Sequence, residues 1–312
     1  MTSKTEISLE WRENANRRID REFNPTEQSS LEYINQQTGF NGKVVAKMLL
    51  DDRLILGNFA DKLCSSKIMG EFLPGDFLPV RSNHLLDAHD LNQMDLPEEF
   101  FIKVNHSSGG LIGVNSRADK EKCLPEVGSA GKWPRFLIHP ERFDKELAIQ
   151  HLNFWLNGSY RQDPNYIREW CYSLIEPKMF IEKLYRDLNL IPPQLNILCF
   201  HGRAMAFIYS DRRSDMKSFV RYIFFVNEEN FARVCSKLSI DQWQTMIKAS
   251  EGVSQYTDMV RVDWMLTSEG PIFSELTNYP YGGWMTFNST STRTPQEVDK
   301  TLSDYWGSIG PY

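Results

Sequence analysis

Asp263 and Glu275 are two carboxylates in the segment RVDWMLTSEGPIFSELTNYP, on strand-like runs flanking a tight turn at Glu269-Gly270. Runs joined this way form a hairpin, so the two carboxylates can meet across its ladder. With the side-chain oxygens of Thr277 and Asn278 they offer hard ligands suited to magnesium, which commonly bridges to substrate phosphates. Arg261 stands two positions before Asp263, and the period of a strand sets both on one face. A cation beside paired carboxylates suits a transferring phosphoryl group. An exposed Arg-Asp-Glu cluster would contribute little, but the flanking Val260, Val262, Phe273 and Leu276 argue against full exposure.

Two further segments carry charge where apolar residues surround it. In FFIKVNHSSGGLIGV, Lys103 interrupts an apolar strand and leads into a loop of small residues. Gly109 and Gly110 let backbone approach a ligand closely, and Ser107, Ser108 and their amides can donate to phosphate oxygens. The same pattern also fits a plain hairpin with an edge lysine guarding against aggregation. His106 in this loop could assist proton transfer or cover phosphates, or simply be solvated. In FIEKLY, Glu182 and Lys183 sit between apolar neighbours, either as a hinge whose backbone pairs with an adenine edge or as solvent-facing positions of an alternating strand.

The elements that must position these residues follow from periodicity. Residues 6–38 read as two polar helices split at Pro25, an appendage and not a core. A helical pattern runs from Lys43 to Met69, ends at Pro74, Gly75 and Pro79, and precedes a short strand near Phe77 to Val80. Residues 117–140 have little periodicity and read as a long loop or insertion. Helical patterns return from Asp144 to about Tyr160 and from Pro164 to Trp170. The strand KMFIEKLY follows, then a meander of LNILCFHG, AMAFIYS and FVRYIFFV, a helix over about 241–251, and the Asp263/Glu275 hairpin. This order predicts three parts: a helix-rich region over 1–80, a small lobe over 81–185 and a large lobe over 186–312.

Composition limits the partners. The chain has 312 residues, of which 41% are hydrophobic and 24% charged, enough for a core divided between lobes. A net charge of -6 provides no basic field for nucleic acid. With no leader-like apolar run and no stretch long enough to span a bilayer, the expected location is the cytoplasm. Five widely spaced cysteines (Cys64, Cys123, Cys171, Cys199 and Cys235) read as free thiols of a reducing compartment. Oligomeric state is not legible.

The order of these segments resembles the ATP-grasp superfamily, and within it the TupA-like branch named for teichuronopeptide biosynthesis. The resemblance runs from about residue 40 to 287, through FNGKVVAKMLLDDRLILGNFADK, LPEEFFIKVNHSSGG, REWCYSLIEPKMFIEKLY, LCFHGR and MVRVDWM with FSELTNYPYGG. It implies an α+β ATP-grasp fold in which two antiparallel-sheet lobes clasp ATP, with Mg2+ as the metal. By resemblance, Lys67 and Lys103 read the phosphates and the Ser107, Ser108, Gly109 and Gly110 loop covers them. Glu182, Lys183 and Leu184 form the adenine hinge, Asp263, Glu275 and Thr277 hold the metal, and Arg261 steadies an acyl-phosphate transition state. Two positions depart from the branch. Gln194-Leu195-Asn196 stands where Asp-Tyr-Lys is common, leaving Gln194 to hydrogen-bond the ribose without charge. Thr277 stands where the superfamily has Asn, with Asn278 displaced to the opposite face.

The implied reaction is ATP-dependent ligation of a carboxylate to an amine, the partners being small molecules or peptides in surface-polymer or natural-product assembly. A kinase acting on a small molecule or sugar, and a nucleotide-binding protein without turnover, are the alternatives. On the acceptor side, Arg212, Arg213, Lys217 and Arg221 could hold a carboxylate or a second phosphate, or form a solvated face. Tyr279, Tyr281 and Trp284 with Gly282-Gly283 suggest a lip beside that site.

Overall fold

The computed structural model describes residues 39–82, 85, 87–158, 169–186, 191–212, 219–225, 238–287 and 292–307. The predicted helices of residues 6–38, and with them Cys235, Arg213 and Lys217, lie outside the described residues.

Three helices lead the described chain: α1 (Gly39–Leu50), α2 (Ile55–Ala60) and α3 (Lys62–Met69). Asp61 starts α3, its carboxylate accepting from the amides of Leu63 at 2.8 Å and Cys64 at 3.3 Å. A four-stranded sheet follows, built from β1 (Phe100–Val104), β2 (Leu111–Val114), β3 (Arg135–Ile138) and β4 (Met179–Lys183) in the order β3-β2-β1-β4. Strand alternation sorts β1 cleanly. Phe100, Ile102 and Val104 pack with Ile149, Leu152 and Trp155 of helix α4 (Lys145–Leu156), while Phe101 and Lys103 project from the other face.

The larger sheet has the order β7-β6-β5-β8-β9, from β5 (Gln194–Phe200), β6 (Arg203–Arg212), β7 (Phe219–Phe225), β8 (Met259–Thr267) and β9 (Gly270–Thr277). Both of its faces are covered. Leu195, Ile197, Val262, Trp264 and Phe273 pack beneath α3 and helix α5 (Ile240–Ser254). Leu198, Phe200, Ile208 and Met259 pack on the opposite face against α1 and helix α6 (Pro295–Trp306). Both α5 and α6 begin with a complete capping box, Ser239 with Gln242 and Thr294 with Glu297. A buried charge network, in which Lys47 Nζ meets Asp51 at 2.8 Å and Arg53 meets Asp258 at 2.9 Å, ties α1 to the start of β8. Among the described residues no helix is long and apolar enough to cross a membrane.

The elements differ from the expected ones in three places. Phe77 to Val80 is no strand: a 3-10 turn over Gly75–Phe77 leads to a single bridge between Arg81 and Glu182, because Pro74 and Pro79 interrupt regular pairing. The long segment over 117–140 contains β3, which adds to β2 in parallel, with Leu111 opposite Arg135 and Val114 opposite Ile138. Helix α6 was not anticipated, although its Thr-Pro-x-Glu start is a helix signal. The expected helix from Pro164 lies mostly outside the described residues; Trp170–Leu174 is a 3-10 turn.

Candidate active site

The floor of the site is the polar end of the large sheet. Asp263 on β8 stands directly opposite Glu275 on β9, Arg261 opposite Thr277, and Asn196 of β5 opposite Asp263 on its other side. A β-bulge makes this possible. Asp263 pairs with Glu275 but Trp264 pairs with Phe273, so Ser274 is the extra residue. Strict alternation would put Phe273 and Glu275 on one face. The bulge instead sends Phe273 into the core, edge-on to Trp264 at a centroid separation of 6.0 Å, and turns Glu275 toward Asp263.

Arg261 grips Asp263 in a fork, Nε to Oδ1 at 2.7 Å and Nη2 to Oδ2 at 2.6 Å, and also donates to Thr277 Oγ1 at 3.0 Å. Glu275 Oε1 lies 3.8 Å from the same guanidinium. Burial pushes the Asp263 carboxyl up, outweighing Arg261 and the Asn196 hydrogen bond, and Glu275 adds to the rise. At Glu275 burial also raises the carboxyl, but Lys62, Arg261, Arg135 and Lys103 together hold it below the usual range. Two carboxylates and a hydroxyl on one sheet face fit a hard divalent cation, whose charge would offset the upward shift that burial imposes on Asp263. Among the described residues no third acidic, His or Cys side chain joins them. A cation held here would complete its shell from phosphate oxygens and water, as magnesium does.

The opposite wall comes from β1, β4 and α3. Glu182 is buried, contrary to its plain reading as a solvent-facing position, while Lys183 is exposed. The Glu182 carboxylate accepts from Lys103 Nζ and from Arg81 Nε at 2.7 Å. Burial alone would raise its pKa; the two cations bring it below the ordinary carboxylate value. Lys183 donates its amide to the Val80 carbonyl at 2.9 Å, and Leu184 is buried just beyond. Beside it, Tyr185, Met265 and Ile272 form a small apolar cluster between the sheets. Gln194 begins β5 on the face of Asn196 and Asp263.

Lys67, expected near the phosphates, is exposed on α3. Lys62, at the start of that helix, is the lysine in the site: its Nζ donates to the Ser107 carbonyl, and its charge reaches Glu275. Five helical steps separate the two lysines by about 140° around the axis, so only one can face the cleft. Burial lowers the Lys62 pKa to about 8, with Glu275 opposing and Lys103, Arg135 and Arg81 assisting. No local signal separates Lys62 from Lys67, because both lie on one short helix.

The loop over 105–110 is held from several sides. Asn105 Nδ2 donates to Asp61 at 3.1 Å and to the Glu176 carbonyl at 3.0 Å. Ser107 Oγ donates to the Gly109 carbonyl at 2.8 Å, and Arg135 donates to the Ser108 carbonyl. His106 is not solvated: it is buried, Nε2 lies 3.1 Å from the Trp155 carbonyl, and burial lowers its pKa to about 4, leaving it neutral. Gly109 is required here, since a Cβ would stand 2.1 Å from the Trp133 carbonyl oxygen, and Gly110 has φ +63°.

At the far end of the cleft, Tyr281 has φ 55° and ψ 22°, followed by two glycines also at positive φ. A left-handed tyrosine costs about 1–2 kcal/mol. Its ring lies 4.5 Å from the Arg221 guanidinium and 5.1 Å from that of Arg261, and cation–π contacts of about 0.5–2 kcal/mol each offset that cost. Tyr279 is buried and Trp284 is 77% exposed. Asn278 faces away from the carboxylates, donating to the Leu56 carbonyl at 2.7 Å, as its displacement by one position implied. Arg212 ends β6. The thiols of Cys171 and Cys199 are buried and pushed far up by that burial, consistent with inert core residues.

A family model described as TupA-like ATPgrasp matches residues 43–306. No curated protein matches the chain. Among solved structures, the D-alanine--D-alanine ligase from Bacillus anthracis complexed with ATP is 17% identical over 79% of this chain and 64% of its own, with a TM-score of 0.41. The D-alanine-D-alanine ligase from Helicobacter pylori is 14% identical over 81% of this chain and 60% of its own, with a TM-score of 0.40. The macrocyclase MdnC bound with precursor peptide MdnA from Microcystis aeruginosa MRC is 11% identical over 80% and 61%, with a TM-score of 0.38. The chain thus spans less than two thirds of the length of each.

Proposed function

Because the chain belongs to the TupA-like ATP-grasp family, we propose that it is an ATP-dependent ligase joining a carboxylate to an amine, with the nucleotide clasped between its two sheets. The observation that carries this reading is the direct opposition of Asp263 and Glu275, within reach of the charges of Lys62, Lys103 and Arg261.

The adenine ring rests on Tyr185, Met265 and Ile272. The Lys183 amide is committed to Val80, so the backbone edge for the base falls to Leu184 at the end of the Glu182 hinge. Gln194 hydrogen-bonds the ribose. Lys62, Lys103, the Ser108 hydroxyl and the amides of Ser107, Ser108 and Gly109 surround the phosphates, while the Ser107 hydroxyl and the Gly110 amide hold the loop in shape through Gly109 and Pro134. Glu182 keeps Lys103 extended toward the cleft, and Asn105 fixes the base of the loop. Magnesium, when held by Asp263, Glu275 and Thr277, supplies positive charge to the phosphate oxygens.

The substrate carboxylate attacks the γ-phosphorus, the bond to the bridging oxygen breaks, and ADP leaves. The neutral amine nitrogen then attacks the acyl carbon, the bond from that carbon to the phosphate oxygen breaks, and the departing phosphate takes the N–H proton as the amide forms. Arg261 is oriented by Asp263 and Thr277 to face the phosphoryl oxygens during transfer, and the 105–110 loop excludes water from the acyl phosphate. No protein nucleophile is needed.

Phosphate release from ATP and magnesium, measured against carboxylate pools with and without amines, tests the reading. Release is expected only when both are present. A stable phosphorylated product without amine would mark a kinase, and nucleotide binding without turnover a binding protein; either result overturns the ligase.

A further inference from the structure

Glu169 is a charged group beside this site that the reaction above leaves unused. It precedes the 3-10 turn Trp170–Leu174, whose Trp170, Cys171 and Leu174 are embedded in the core beside α1 and β5, so its backbone is firmly placed. Its own side chain is 9% exposed and, among the described residues, takes no hydrogen bond or ion pair. A largely buried carboxyl whose oxygens still reach the surface is placed to receive a cation from the cleft.

Its surroundings indicate what that is. A Cβ built on Gly282, at φ +59°, would stand 3.5 Å from Glu169 Oε1, so the carboxyl opens onto the glycine lip after Tyr281. The charged neighbours it senses are Arg261 and Glu275, which places it beside the carboxylate floor where the phosphoryl group is transferred. Burial, opposed by Arg261 and assisted by Glu275, raises its pKa to about 8. It is therefore largely neutral at pH 7 until a cation arrives beside it. An anionic acceptor group would be repelled once the carboxyl ionised, and an apolar one would leave it unsatisfied.

We propose that Glu169 is the recognition site for the acceptor's ammonium group, so that the second substrate is a primary amine entering in its protonated form between Glu169 and Gly282 and giving up its extra proton to solvent before it attacks. This rests on the ligase reading of the site. The missing Cβ at Gly282 leaves room for the ammonium head of a larger molecule, including the amino terminus of an amino acid or peptide.

The test uses glycinamide, which carries an ammonium and no carboxylate, titrated by calorimetry into the full chain saturated with ADP and magnesium. Glycinamide is expected to bind the wild type with release of about one proton at pH 7. Glu169→Gln should bind it at least tenfold more weakly and without that proton, while its ADP affinity stays equal to that of the wild type. Glu169→Asp, which keeps the carboxyl, should retain the proton release at reduced affinity. No glycinamide binding by the wild type, or equal binding by Glu169→Gln, would overturn the assignment. Failure of the wild type to bind ADP would count against the nucleotide site instead, and glycinamide titrated into the nucleotide-free chain would still decide the role of Glu169.

Discussion

Asp263 and Glu275 face each other directly across the β8/β9 ladder, and Arg261 binds the first through the Nε/Nη2 edge of its guanidinium while standing 3.8 Å from the second. Burial leaves Asp263 inclined to hold a proton despite Arg261, whereas Lys62, Arg261, Arg135 and Lys103 together incline Glu275 to lose one. Such a pair is unbalanced by itself and suited to a further, divalent charge.

Asp263→Asn and Glu275→Gln should each abolish magnesium-dependent turnover, with the fold retained as judged by circular dichroism. Asn196, which supports Asp263 from β5, lies one shell further out. Asn196→Leu is expected to lower activity or metal affinity by about 10- to 100-fold. Titration of magnesium against nucleotide binding reads both effects, and unchanged magnesium dependence in the carboxylate variants would remove them from the metal site.

The bulge at Ser274 gives a sharper test of register. Deleting Ser274 makes Phe273 and Glu275 consecutive in a regular ladder, which still turns Phe273 into the core and Glu275 toward Asp263, so the deletion should leave the protein folded and magnesium-dependent. Ser274→Ala keeps the extra residue and should change stability by no more than about 0.5 kcal/mol. Urea unfolding and magnesium titration of the two variants measure both, and loss of the fold on deletion would contradict this register.

Lys62 and Lys67 divide cleanly. Lys62→Met should weaken ATP binding by roughly 10- to 100-fold, about the 1.5–3 kcal/mol of a charge-assisted hydrogen bond, whereas Lys67→Ala should leave it within about twofold. The folded pKa of Lys62, about 8, lies below that of a free lysine. Between those two values the unfolded chain holds the proton and the folded chain does not, so this group's contribution to stability rises with pH across that window. Phosphate favours the charged lysine, so nucleotide binding near pH 8 should take up a proton in the wild type and not in Lys62→Met. Calorimetry in buffers of different ionisation heat measures it.

Much of this arrangement was legible in the sequence, and the parts that were not share a cause. The carboxylate hairpin, the Gly/Ser loop and the meander are local patterns, and the family resemblance ordered them. The exchange of Lys67 for Lys62 was not legible because both lie on one short helix, and packing alone decides which faces the cleft. Period-two counting places Glu275 beside Phe273, and nothing local in SELT announces the bulge. Strand β3 was hidden because its four residues gain their hydrogen bonds from a parallel neighbour, a non-local partner. Glu182 reads as solvent-facing until Arg81 and Lys103 are seen to meet it, and the burial of Glu169 depends on the lip over a hundred residues away.

Glu182→Gln should destabilise the protein by about 3–5 kcal/mol, because it leaves Lys103 and Arg81 buried without their anion. Its folded pKa is depressed, so the stability it contributes is complete above the pKa of an unfolded glutamate and is lost as pH falls through the lower folded value. Acid unfolding should therefore begin at higher pH in the variant. Urea midpoints from neutral pH downward measure both effects.

The most direct measurement is a crystal of the full chain grown with ADP and manganese, with anomalous scattering used to place the metal. The account predicts an anomalous peak bound by Asp263 and Glu275, with the nucleotide phosphates beside Lys62, Lys103 and the 105–110 loop. A metal bound elsewhere, or ADP lying outside the cleft between the two sheets, would contradict it.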